Sequence, residues 1–261
     1  MTAARLVLHE ARYDQKVFRR DPQAVFFTAG LPLLYLFVFV TIFGDQHDRA
    51  YGLPESVKVS TILVPGIVAI GIVSAAFQNL AATLVQERES GMLKRVRSAP
   101  VPPWAFIAGR TATSVATALL LAAVLLVFGR VFFGVQIPGA RMPALLLAIV
   151  VATAAFCCLG FAFTAVVMKA TATAPMAAAV TLTLYFISGN FFSVNNVPGW
   201  MKLAADIFPV KHLNEALFTA IYPGTRGLGV EWLDLAVVAA WGLAGLAIAV
   251  RRFRWAPTAS T

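Results

Sequence analysis

Charge is scarce in this chain of 261 residues: 13% are charged against 59% hydrophobic, and the mean hydropathy is +0.79. Such a composition excludes an ordinary soluble domain, and the length leaves no room for a second one beside a membrane domain. Cysteine is nearly absent too, and the two present, Cys157 and Cys158, are neighbours in an apolar run. Adjacent side chains on a helix project about 100° apart, so a disulfide between them is geometrically poor and a metal site lacks its other ligands. Small core residues are the better reading. Histidine is limited to His9, His47 and His212, scattered and without an H-E-x-x-H pattern. The G-x-x-x-x-G-K-[ST] phosphate loop is missing: the nearest spacing, Gly134 to Gly139, is followed by Ala140 and Arg141, which supply neither the lysine nor the hydroxyl. The chain is therefore expected to bind no cofactor of its own and to hydrolyse no ATP alone. Asp45 and Asp48 form a D-x-x-D without a further acidic or glycine-rich cluster, too little for a metal-dependent lipid-modifying enzyme.

What the chain has is length of apolar run. Six segments, 25–43, 60–85, 104–133, 142–168, 171–192 and 232–250, read as membrane-spanning helices, which makes this an all-α membrane protein of six spans. Pro32, Pro65 and Pro175 remove backbone donors in three of them, so local kinks are expected. Lys and Arg exceed Asp and Glu by 21 to 12, a surplus that topology explains better than nucleic acid does. With the N-terminus inside, 14 of the 21 basic residues fall on the cytoplasmic side, so both termini are placed in the cytoplasm. No cleavable signal is expected before the first run, which is long enough to remain as an anchor.

Three segments outside the spans have their own character. In residues 1–22, Leu6, Val7, Tyr13, Val17 and Phe18 share one helical arc and Arg5, Arg12, Lys16, Arg19 and Arg20 another, the pattern of an amphipathic interfacial helix. Residues 86–100, QERESGMLKRVRSAP, form a polar and basic island: Glu87, Arg88 and Glu89 follow the second span, Gly91 permits a change of direction, and Met92 and Val96 lie a turn apart among Lys94, Arg95 and Arg97. Pro100, Pro102 and Pro103 end it. Residues 193–229 hold two apolar patches, 200–208 and 213–222, each too short to span and broken by Pro198, Pro209 and Pro223, the pattern of a re-entrant pair of short helices. Residues 251–261 read as a cytoplasmic tail.

Within the spans most polar groups are uncharged. Gln78 and Asn79 in the second and Thr181, Tyr185 and Asn190 in the fifth either join helices or line a pathway for an amphipathic solute. Small residues recur every fourth position at Ala105, Gly109, Thr113 and Thr117, at Ala177, Thr181, Tyr185 and Gly189, and at Ala236, Ala240 and Ala244, rows that suit close helix packing. Asp234, near one end of the last span, is expected at the membrane interface, and a proton relay through buried carboxylates is not expected.

Two motifs carry a family resemblance: ERESGMLKRVRSAP after the second span, and ISGNFFSVNNVPGW continuing to FPVKHLNEAL after the fifth. With them the sequence resembles ABC-2 type permeases, the membrane subunits of exporters such as daunorubicin and multidrug transporters, over nearly its whole length. Met92 stands where the family usually has threonine. The resemblance implies that residues 86–100 are a coupling helix docking into a separate ATPase subunit through Glu87, Arg88, Glu89, Gly91, Lys94 and Arg95. It implies that ATP and Mg are held by that partner, and that a second permease copy or a related permease completes the assembly. The expected function is export of a hydrophobic or amphipathic compound across the plasma (inner) membrane of a prokaryote. Lipid-linked glycan export is the alternative, ahead of a membrane scaffold.

Overall fold

In the computed structural model, the described residues are 15–16, 20, 22–43, 60–94, 103–137, 139–167, 169–188 and 198–252, and among them helix is the only regular structure. Most of the expected N-terminal amphipathic helix, Arg95, Asn190 and nearly all of the C-terminal tail lie outside these residues. The chain runs α1 (Pro22–Val25), a π-helical turn π1 (Phe26–Gly30), α2 (Leu31–Phe43), α3 (Ser60–Val73), a second π-helical turn π2 (Ser74–Asn79), α4 (Leu80–Glu89), α5 (Pro103–Phe133), α6 (Met142–Val166), α7 (Ala170–Ile187), α8 (Gly199–Ile207), α9 (Pro209–Ile221) and α10 (Trp232–Arg252).

Among the described residues, five helices are long and apolar enough to cross a membrane: Leu63–Glu89, Trp104–Phe133, Met142–Val166, Ala170–Ile187 and Trp232–Arg252. The first expected span corresponds to a shorter apolar helix, Thr28–Phe43. Helical backbone is continuous from Pro22 through π1 to Phe43.

Prolines set several boundaries. Pro103 opens α5, Pro143 stands in the first turn of α6 and Pro209 opens α9, positions where a missing N–H costs no helical bond. Phe208, directly before Pro209, is extended at φ −86° and ψ 145°, because the proline ring disfavours helical backbone in the residue it follows. Helices α8 and α9 are thereby separated by one residue. Pro65 and Pro175 are carried inside α3 and α7 without ending them. Pro32 cannot donate to the carbonyl of Thr28, and the wide turn π1 lies at that point.

Helix α3 is the axis of the core: Val64, Ile67, Val68, Ala69, Ile72 and Val73 are all at most 2% exposed. Around it pack α2, α5 and α9, while α6 takes α10 as its leading neighbour. The α6–α10 contact depends on two glycines. A Cβ on Gly242 would stand 2.7 Å from Ala155 Cα, and one on Gly245 would stand 2.9 Å from the Leu159 nitrogen, so the two backbones nearly touch. The expected row at Ala236, Ala240 and Ala244 points outward instead, and the three alanines are exposed. The rows in the other helices fare better: Ala105 and Gly109 are buried on α5, and Ala177, Thr181 and Tyr185 on α7.

Candidate functional site

The end of α4 places three charged residues in succession, Glu87, Arg88 and Glu89, and each reaches a different helix. Glu87 Oε1 lies 2.5 Å from Arg110 Nη2 near the start of α5, with both side chains less than one-sixth exposed. The Arg110 guanidinium also stands over the Phe106 ring, 5.3 Å from its centroid. Arg88 is 3% exposed and turns inward, donating through Nη1 to the Thr164 carbonyl at 2.7 Å and through Nη2 to the Val167 carbonyl at 2.8 Å. Glu89 Oε1 accepts the backbone N–H of Ala170, the first residue of α7, at 2.8 Å. Consecutive residues thus hold the start of α5, the end of α6 and the start of α7.

The signs match the helix poles. The guanidinium sits at the carbonyl end of α6, where the dipole is negative, and the carboxylate at the N–H end of α7, where it is positive. After Glu89 the Ser90 N–H bonds to the Gln86 carbonyl, and Gly91 turns the chain at φ +74°, a conformation a β-carbon disfavours. Helix resumes at residues 92–94, where Met92 and Lys94 are exposed and Leu93 is buried. The predicted change of direction at Gly91 is present. Arg88 differs from the sequence expectation in its surroundings: it faces the interior of its own bundle, not an outer surface.

Of the polar residues expected within the spans, the described ones, Gln78, Asn79, Thr181 and Tyr185, make contacts on or beside π2. Gln78 Nε2 donates to Thr181 Oγ1 on α7, and Asn79 Nδ2 donates to Thr28 Oγ1 in π1. Tyr185 Oη donates to the Ile70 carbonyl at 3.4 Å. Gln78, Thr181 and Tyr185 therefore join the second span to α7, while Asn79 faces the other way and joins it to the first helix. On its opposite side π2 receives α6 at Gly160, where a Cβ would come within 3.3 Å of the Ala76 carbonyl oxygen. An outward-facing cleft of about 380 Å3 between α2 and α5 is lined by apolar residues, among them Leu33, Val127 and Phe128, and by none of these polar ones.

A second charged cluster was missed in the sequence. His212 on α9 and Asp234 on α10 are each 8% exposed, with Nδ1 of the histidine 2.6 Å from Oδ1 of the aspartate. The other ring nitrogen lies 2.9 Å from the Asp206 carbonyl at the end of α8. Lys211 extends the cluster, 2.5 Å from Asp206 Oδ1 and 3.5 Å from Glu215 Oε1. The Lys211 hydrogen bond holds the Asp206 carboxyl below its usual value, and burial pushes the Glu215 carboxyl up. Asp234 is thus buried within the protein and paired, in the first turn of α10. Pro198 caps α8 and Pro209 opens α9, so both predicted turn prolines mark helix boundaries. Among the described residues no group of three or more His, Cys, Asp and Glu could hold a metal ion.

Long apolar helices joined by polar seams, with a charged turn at one end, define a multi-pass membrane protein. The family model for ABC-2 type transporters matches residues 8–222, and the chain belongs to that family. Its motifs were legible before the fold was known, and the match contains both the charged turn and the α8–α9 pair. The chain is a membrane permease component, with no nucleotide-binding domain found in it. No curated protein gives a significant match.

Proposed function

We propose that this chain is the permease subunit of an exporter driven by a separate ATPase subunit, and that residues 86–100 are the docking segment. The observation that carries the reading is the charged turn at the end of α4. Polar residues that leave a membrane-spanning helix, grip three neighbouring helices and then expose Met92 and Lys94 have the form needed to receive a push from a soluble protein. ABC-2 permeases generally work with an ATPase subunit, and in this reading that subunit supplies the ATP and Mg chemistry.

In this reading Thr28–Phe43 completes a six-span bundle, α8 and α9 form the re-entrant pair, and both termini face the cytoplasm of a prokaryote across its plasma membrane. The exposed apolar face of α7, with Met176, Val180 and Phe186, is available to a second permease copy or to lipid. The cargo is a hydrophobic or amphipathic compound, because membrane-depth polarity around π2 is uncharged and offers an ionic solute no partner. Gln78, Asn79, Thr181, Tyr185 and Asn190 are the candidate pathway residues, their helix-joining bonds being the ones that alternating access would exchange.

The test is reconstitution. The chain alone in nanodiscs is expected to show no ATP hydrolysis, and hydrolysis stimulated by apolar compounds is expected once an ATPase subunit from the same cells is added. Hydrolysis by the chain alone, or failure of every such ATPase to associate, would remove the reading.

A further inference from the structure

Helices α6 and α7 are consecutive, ending at Val166 and starting at Ala170, and the described residues between them are not helical. Val167 is extended at φ −88° and ψ 123°, and Lys169 at φ −106° and ψ 131°. Past this point the two helices take different neighbours: α6 packs chiefly on α10 and α5, whereas α7 packs on α4, π2, α8 and α9. Three elements, α4, π2 and α9, contact both helices, and α4 is the one whose end lies at the break. Its last turn supplies a charge to each side of the break, Arg88 to the Thr164 and Val167 carbonyls and Glu89 to the Ala170 N–H.

We propose that Arg88 and Glu89 are positioning residues that splice the α6–α7 break to the docking turn, so that displacement of residues 86–94 changes the angle between α6 and α7. The proposal rests on the reading of this turn as the docking segment and goes beyond it. Docking concerns which surface touches the ATPase; the splice concerns which joint inside the permease receives the motion. A buried guanidinium with a bidentate grip on two carbonyls of a helix end has no surface to offer a partner. Its removal leaves both carbonyls without that donor and lets α7 swing independently of α4. Extended backbone such as that at Val167 and Lys169 is compliant in φ and ψ, so without the splice the joint absorbs a push that it otherwise passes on.

Two experiments test this. In the first, the full chain in nanodiscs without nucleotide is followed by hydrogen exchange. Arg88→Gln is expected to speed exchange across residues 164–170 by about tenfold, the loss of roughly one net charge-assisted bond, with α10 unchanged. Arg88→Lys, which keeps the charge but not the fork, is expected to fall between. Unchanged exchange overturns the splice, and this arm needs no partner.

In the second, spin labels at Val150→Cys on α6 and Leu182→Cys on α7, with Cys157 and Cys158 replaced by alanine, report the distance between the helices in the complex with its co-purified ATPase. Addition of ATP, Mg and vanadate is expected to shift that distance with Arg88 present. With Arg88→Gln the shift is expected to be lost although the amount of bound ATPase is unchanged. An equal shift in the variant overturns the proposal, as does loss of bound ATPase, which would make Arg88 a docking contact. If no ATPase co-purifies with the unmodified chain, the docking reading fails, and the exchange experiment decides the splice by itself.

Discussion

His212 stands between two oxygen atoms, the Asp234 carboxylate at 2.6 Å and the Asp206 carbonyl at 2.9 Å. Both contacts are met by one proton shared within the His–Asp pair, whichever residue carries it, together with the N–H that faces Asp206. Lys211 and Glu215 lie on the same helix as the histidine, so the cluster ties α8, α9 and α10 at one point. His212→Leu leaves the Asp234 carboxylate buried without its partner, and breaking a buried pair in this way costs about 3 kcal/mol. The double change to leucine at both positions is expected to recover a large part of that loss, since it removes the stranded charge along with its partner. Unfolding titrations in mixed micelles measure both variants. Equal destabilisation by the single and the double substitution would show that the two side chains are not energetically coupled.

At the scale of elements, the α8–α9 joint combines a feature written in the sequence with one that is not. Pro209 forces Phe208 into extended backbone, and that rule reads directly from the residue order. The same holds for Pro198 before α8, for the turn at Gly91, and for the apolar runs that became α5, α6, α7 and α10. The His212–Asp234 pair was not legible because it joins residues 22 apart on different helices, and only tertiary packing sets their distance. The α6–α10 seam was not legible for a related reason. Small residues at every fourth position identify a possible contact row, but α10 carries two rows, and burial selects Gly242 and Gly245 over Ala236, Ala240 and Ala244. Arg88 was read as part of a surface run because its neighbours are polar; its acceptors, 76 and 79 residues away, give no local signal. At the joint itself, Lys211 lowers the Asp206 carboxyl, a depressed acid whose bridge is intact above the usual carboxylate range. Its contribution is lost as pH falls through that lowered value. Protection of the amides at residues 206–211, taken relative to intrinsic exchange at each pH, is therefore expected to hold at neutral pH and to fall as pH drops through that lowered value, whereas Lys211→Met lowers it already at neutral pH. An exchange rate in Lys211→Met equal to that of the unmodified chain would show that the bridge does not hold the joint.

For the whole molecule, the charged turn has two kinds of residue, and they predict different failures. Glu87 faces Arg110 on α5 at 2.5 Å and is largely shielded, whereas Lys94 is exposed beyond Gly91. Glu87→Arg sets two like charges against each other in a shielded site, an arrangement expected to separate α4 from α5 and to lower both folded yield and ATPase stimulation. Glu87→Arg combined with Arg110→Glu restores opposite charges at the same positions, so the swap is expected to recover yield and most of the stimulation. Lys94→Glu acts on the outer side. It leaves the internal ties from Glu87, Arg88 and Glu89 in place, so membrane insertion and folded yield are expected to hold while the amount of co-purifying ATPase falls. The reduction should be steepest at low ionic strength, where charge attraction between the partners is least screened. Co-purification from membranes, quantified beside folded yield, separates the cases. If the charge swap fails to recover what the single change lost, the Glu87–Arg110 contact is not a simple ion pair. If Lys94→Glu retains the full complement of ATPase at low salt, the partner docks elsewhere, and the exposed half of the turn has no part in its binding.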